Sequence, residues 1–186
     1  NIASGGTATV TNSTLSGNTA NISGGGINNG NGGTATVTNS TLSGNSAYFG
    51  GGINNYATAT VTNSTLSGNT ASYGGGIENY QGTVTVTNST LSGNTADLGG
   101  GGISNGSTAT ATVTNSIVLG NIAVTGAEIR GTVTNTDNRS IIGGVNAADV
   151  FAATTTDGAG VLADNGGPVQ TIALNNDASN PALDAG

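Results

Sequence analysis

The chain has 186 residues, a length suited to one domain, and sets nine carboxylates against two cations for a net charge of -7. With no Lys, and Arg130 and Arg139 as the cations, it is expected to bind neither nucleic acid nor an anionic membrane surface, since phosphates call for many basic side chains. The lack of Cys excludes disulfides and thiolate metal sites, and the lack of His excludes triad chemistry.

Gly (34), Thr (31) and Asn (26) make up nearly half of the chain, a bias that in random order implies disorder. Here the order is not random. TVTNSTLSGN ends at Asn18, Asn45, Asn69 and Asn94, and a degenerate copy, TVTNSIVLGN, ends at Asn121. The spacings are 27, 24, 25 and 27. GGGI alternates with it, ending at Ile27, Ile53, Ile77 and Ile103, with a worn copy, GAEI, ending at Ile129. A period of this length marks a solenoid. Its Gly and Thr content excludes helical repeats.

Within each period TATVT or TVTVT alternates as a strand does, for example at 34–38 and 83–87. Val10, Val37, Val61, Val86 and Val113 are expected to face inward. So are Leu15, Leu42, Leu66 and Leu91, Val118 in the fifth copy, and the Ile of each GGGI. Three apolar sides closing on a narrow core predict an all-β, right-handed, three-sided parallel β-helix. Five to six coils over 1–145 are expected, rising about 4.8 Å each. Residues 146–186 are expected to form a less regular segment of the same domain that closes the C-terminal end.

Asn12, Asn39, Asn63, Asn88 and Asn115 share one column of the repeat, and Asn18, Asn45, Asn69, Asn94 and Asn121 share another. Amides stacked one coil apart form hydrogen-bonded ladders, and Asn tolerates the left-handed corner between strands. A corner or ladder position is therefore expected for the NST triplets, although they match a glycosylation sequon.

LSGN followed by GGGI resembles the paired FxxN and GG[AI] repeats of polymorphic outer-membrane autotransporter passengers over residues 1–130, with Leu in place of Phe. VTNSIVLGN, SIIGG at 140–144, LADNGGPVQTIAL at 162–174 and NPALDAG at 180–186 resemble the choice-of-anchor Q domain over about residues 110–186. The resemblance implies a β-helix displayed on a bacterial surface. It implies no catalytic residues.

Several sites follow as candidates. Tyr48 and Tyr73 precede successive GGG runs, and Tyr56 and Tyr80 follow the Ile by three residues, so the four are expected near one edge as a glycan or partner patch. Thr7, Thr9 and Thr11 begin a regular Thr grid that resembles ice-binding solenoids. Asp149, Asp157 and Asp164 stand in a Gly-rich tail as possible calcium ligands. Arg130 and Arg139 lie near Glu128 and Asp137, where salt bridging is expected. Polysaccharide lyases share the β-helix fold, yet paired carboxylates or a base beside acidic metal ligands are not evident, so no enzyme, catalytic residue or cofactor is expected.

No apolar run approaches the roughly 18 residues of a membrane span. Neither signal peptide nor initiator Met stands in these residues, and residues 1–6 offer no polar cap. The expectation is a mature or trimmed chain, extracellular or on a cell surface. It is expected to stack head-to-tail on further copies as a filament subunit or to continue a longer stalk.

Overall fold

The computed structural model describes residues 1–136 and 139–182. It is a parallel β-solenoid. Each coil runs through a Thr strand, a Leu strand, a short outer strand and an Ile strand, and like strands of neighbouring coils pair in register, except for a shift between Ala96 and Gly99 in the outer strands.

The Thr sheet has six strands: Thr7–Thr11, Thr34–Thr38, Thr58–Thr62, Thr83–Thr87, Thr110–Thr114 and Thr134–Asn135. Its alternation is resolved as expected, with Ala35, Val37, Ala59, Val61, Val84, Val86, Ala111 and Val113 buried and the Thr side chains outside. The Leu sheet runs from Thr14–Ser16 to Ile141–Ile142, and its Leu42, Leu66, Leu91 and Val118 are fully buried. The Ile sheet, Ile27–Asn29 to Ile129–Arg130, completes the column with Ile53, Ile77 and Ile103. A fourth, shorter parallel sheet (Thr70–Tyr73, Thr95–Gly99 and Ile122–Ala123) precedes the Ile strands.

Corners are made by residues with positive φ. Asn12, Asn39, Asn63, Asn88 and Asn115 turn the Thr strand into the Leu strand at φ between 45° and 50°. That turn removes the next N–H from the coil-to-coil backbone ladder. The Ser hydroxyl of the neighbouring coil replaces the lost carbonyl: Ser40 N–H donates to Ser64 Oγ at 3.1 Å, and Ser64 N–H to Ser89 Oγ at 3.1 Å. Each hydroxyl in turn donates two residues back, as Ser64 does to the Thr62 carbonyl at 2.8 Å. The GGG corner has a steric reason. At Gly51 a Cβ would stand 2.6 Å from the Gly75 carbonyl oxygen of the next coil, so only glycine lets the coils close there.

Residues 146–182 do not lie where the sequence suggested. They fold back along the flank of the Leu sheet. The tail holds a one-turn helix, Ala147–Val150, and a small antiparallel pair, Leu162–Ala163 with Thr171–Ile172. Gly160 N–H donates to Ser92 Oγ at 2.9 Å, and Thr41, back in the second coil, donates its hydroxyl to the Gln170 carbonyl. The closing residues 183–186 lie outside the described residues.

The degenerate fifth copy explains this docking. In register, Ile117 replaces the outward Thr90, and Leu119 takes the place that Ser92 holds in the preceding copy. Ile117, Leu119 and Ile141 thus make an apolar patch on an otherwise polar face. Val150, Phe151 and Ile172 cover it as a second small core. Restoring the repeat with Ile117→Thr and Leu119→Ser is expected to weaken docking by on the order of 3 kcal/mol. Limited proteolysis should then cut within 146–182 while circular dichroism shows the solenoid still folded.

Candidate functional site

Both Asn columns named from the sequence sit at corners. The Asn12 column supplies the positive-φ residues, and two of its links are amide hydrogen bonds, Asn63 to Asn39 at 3.2 Å and Asn115 to Asn88 at 2.8 Å. The Asn18 column is a continuous ladder. Asn45 donates from its backbone N–H (3.0 Å) and its Nδ2 (2.9 Å) to Asn69 Oδ1, and Asn69 and Asn94 repeat this upward. The second Nδ2 hydrogen goes back to the Leu carbonyl of the preceding coil.

That ladder ends in a carboxylate. Glu128 Oε2 accepts from Asn121 Nδ2 at 2.6 Å, and Oε1 accepts from Gly120 N–H at 2.9 Å. The expected pairing of Arg130 beside Glu128 is therefore corrected, because Glu128 replaces the Asn of the next coil as an acceptor that needs no donor of its own. Burial raises its pKa despite those hydrogen bonds. Asp137, the other carboxylate named, lies outside the described residues.

A third ladder escaped the sequence reading. Asn29, Asn55, Asn79 and Asn105 link through Nδ2 to Oδ1 at 2.7, 2.8 and 2.7 Å inside the Ile sheet. The signal was present, since each stands two residues after its Ile.

The four Tyr gather on two banks of the Ile sheet. On one bank, the residue in register with Tyr73 is Phe49, the neighbour of Tyr48 in the chain. Phe49 precedes its GGG directly, as Tyr73 does, and that offset was legible. Phe49 stacks on Tyr73 with ring centres 6.0 Å apart, and Tyr48 packs edge-on against Phe49 at 4.6 Å. On the other bank Tyr56 and Tyr80 lie 5.2 Å apart.

Between the banks runs a groove of about 820 Å³. Its floor is the outward column of the Ile sheet, in which Asn54, Glu78, Ser104 and Arg130 follow one another in register. Glu78 is only 4% exposed, and its Oε2 has no hydrogen-bond partner. Asn54 Oδ1, directly across the register, also has none. The guanidinium of Arg130 lies 5.3 Å from the Tyr73 ring centre, with Nη1 3.4 Å from Ser104 Oγ.

Arg130 reaches Tyr73 because of a glycine. Gly99 is the register partner of Tyr73 in the next coil, so the aromatic column stops there. A Cβ on Gly99 would stand 2.5 Å from Arg130 Cδ. The arginine side chain occupies the place of the missing aromatic ring.

The Thr residues form the expected grid. The strands beginning at Thr7, Thr34, Thr58, Thr83 and Thr110 pair without register shift, so the outward Thr line up in columns. The Asp residues named for calcium have other surroundings. Asp149 sits in the first turn of the short helix, and Asp164 Oδ1 accepts from Gly166 N–H at 3.0 Å. Among the described residues no three His, Cys, Asp or Glu side chains come together to hold a metal ion. Nor is any described helix long and apolar enough to cross a membrane.

The chain matches no family model, no curated protein and no solved structure. The surface-protein resemblance accordingly stands on the quoted motifs alone.

Burial pushes the Glu78 carboxyl up, against the smaller downward pulls of the Ser104 hydroxyl and the Arg130 charge. A folded pKa above the unfolded one means that the folded chain holds this proton more tightly. The group's contribution is fully present at acid pH and is lost as pH rises through the folded value. Glu78→Gln supplies an N–H donor toward Asn54 Oδ1 at every pH. The variant is expected to be more stable at neutral pH by on the order of 1 kcal/mol. Melting curves from acid to neutral pH should show a smaller loss than in the parent chain, with the part due to Glu128 remaining.

Proposed function

We propose that the chain is a non-enzymatic, extracellular structural element, a subunit of a surface filament or a segment of an adhesin stalk. The observation that carries this reading is the uniformity of the stack. The Thr strands continue from coil to coil without register shift, and the Asn18 column adds an internal ladder along the same axis. Such a column is stiff, and it grows by adding coils. The acidic, Cys-free, Thr-rich composition fits an extracellular surface. Glu128 serves the ladder through Asn121 and Gly120, which disfavours a role as a general acid.

Electron microscopy of the native material, with the mass of the intact chain, tests this reading. Straight rods or fibres with a spacing of about 4.8 Å along their axis are expected. Release of new reducing ends or unsaturated products from pectate, alginate or other polysaccharides, with or without calcium, would overturn the non-enzymatic assignment.

A second reading rests on the Thr face. Its outward hydroxyls repeat about 4.8 Å along the axis and about 7 Å along each strand, a flat lattice of the kind that orders water into ice. Under this reading the chain shows thermal hysteresis, and Thr60→Tyr, in the middle of the grid, abolishes it. A freezing point equal to the melting point in the parent chain excludes it.

A further inference from the structure

The aromatic columns on both banks of the groove end at the same level. Opposite Gly99, the Tyr56–Tyr80 column gives way to Gly106, the residue that follows Asn105 as Tyr80 follows Asn79. With Arg130 filling the place at Gly99 and no side chain at Gly106, a notch lies beyond the ring of Tyr80. Tyr80, 47% exposed, is left without an aromatic neighbour on that side. Ser107 and Thr108 line the notch beside it, and Arg130 and Gly131 line it from the following coil.

Arg130 is held in place but has donors to offer. The Tyr73 ring and the Ser104 hydroxyl fix it. Among the described residues its single hydrogen bond is the one to Ser104. The remaining guanidinium N–H groups are arranged as a planar fork. An exposed aromatic ring and a fork of donors lining one recess suit a pyranose, whose C–H face stacks on an aromatic ring while its hydroxyls lie in the ring plane. The net charge of -7 disfavours anionic sugars.

We propose that this notch binds a pyranose unit of a neutral glycan, stacked on Tyr80 in place of a missing third ring and hydrogen-bonded by Arg130. Gly99 is a positioning residue, since it makes the room through which Arg130 reaches the site. The proposal goes beyond the structural role and holds for a filament and a stalk alike.

The test is a titration of the full chain with neutral tetrasaccharides of glucose, mannose and galactose, followed by calorimetry and by the NMR signals of Tyr80. A tetragalacturonate forms the anionic arm. Single-site binding with Kd of about 1 mM or tighter is expected for at least one neutral sugar. Tyr80→Ala is expected to weaken it at least about tenfold, while Tyr80→Phe retains it. Gly99→Ala, which touches no ligand, is expected to weaken binding and to shift the Tyr73 ring signals as the guanidinium is displaced. Melting curves identify any variant that fails to fold, and Tyr80→Phe then carries the comparison with Gly99→Ala. Absence of binding by every neutral sugar overturns the proposal. Preference for the galacturonate, or full affinity in folded Tyr80→Ala, overturns it equally.

Discussion

A chain that turns corners in every coil must find partners for the backbone groups each corner removes from the sheets. Buried and unpaired, each would cost on the order of 1–3 kcal/mol. This molecule meets the requirement with side chains of the adjacent coil. Ser Oγ receives the N–H after the Asn corner, and Asn Oδ1 receives the N–H after the Gly corner. Both devices work only if the neighbouring coil carries the same residue at the same height. The near identity of successive repeats follows from that condition, and so does the strict register of the Thr, Leu and Ile sheets. Where the repeat stops, the requirement remains, and Glu128 meets it with a different acceptor.

Three sheets satisfied from within are free to differ on their outer faces. The Thr face stays open to solvent. The Leu face is covered by the tail, which buries Thr41 and Ser92 completely. The Ile face is flanked by aromatic stacks and becomes a groove, so that even its outward Asn54 and Ser104 are buried. One core thus supports a regular polar surface, an internal docking surface and a recess. The chemistry of each is set by residues that take no part in closing the coil.

Most of the fold was legible, because period-two alternation and a strict repeat place Val, Leu and Ile inward without ambiguity. The corner role of Asn12 and its column was legible for the same reason. Other features were not, and the reasons differ. The tail's path depends on which outer patch is apolar, a tertiary matter visible only once Ile117 and Leu119 are known to point outward together. The stacking of Phe49 on Tyr73 was not named, because Tyr48 matches Tyr73 in residue type while Phe49 matches it in distance from the Gly run. The Arg130 contact with Tyr73 spans two coils and passes over Gly99, a relation with no local signal in the sequence.

In a repeat protein the departures carry the information. Positions that match the repeat report the closure of the coil. Positions that break it must answer to something else, since the ladder penalises every mismatch. Glu78 replaces Asn54 on the groove floor at the cost of two unpaired oxygens. Gly99 ends one aromatic stack and admits a guanidinium. Ile117 and Leu119 receive the tail. Glu128 ends the Asn ladder. All but Glu78, in the third coil, fall in the fourth coil or later, on the half of the solenoid where the apolar patch receives the tail and the notch opens. The earlier coils are nearly interchangeable, and their role is extension. The later ones have given up that interchangeability, and specific contacts accordingly lie there.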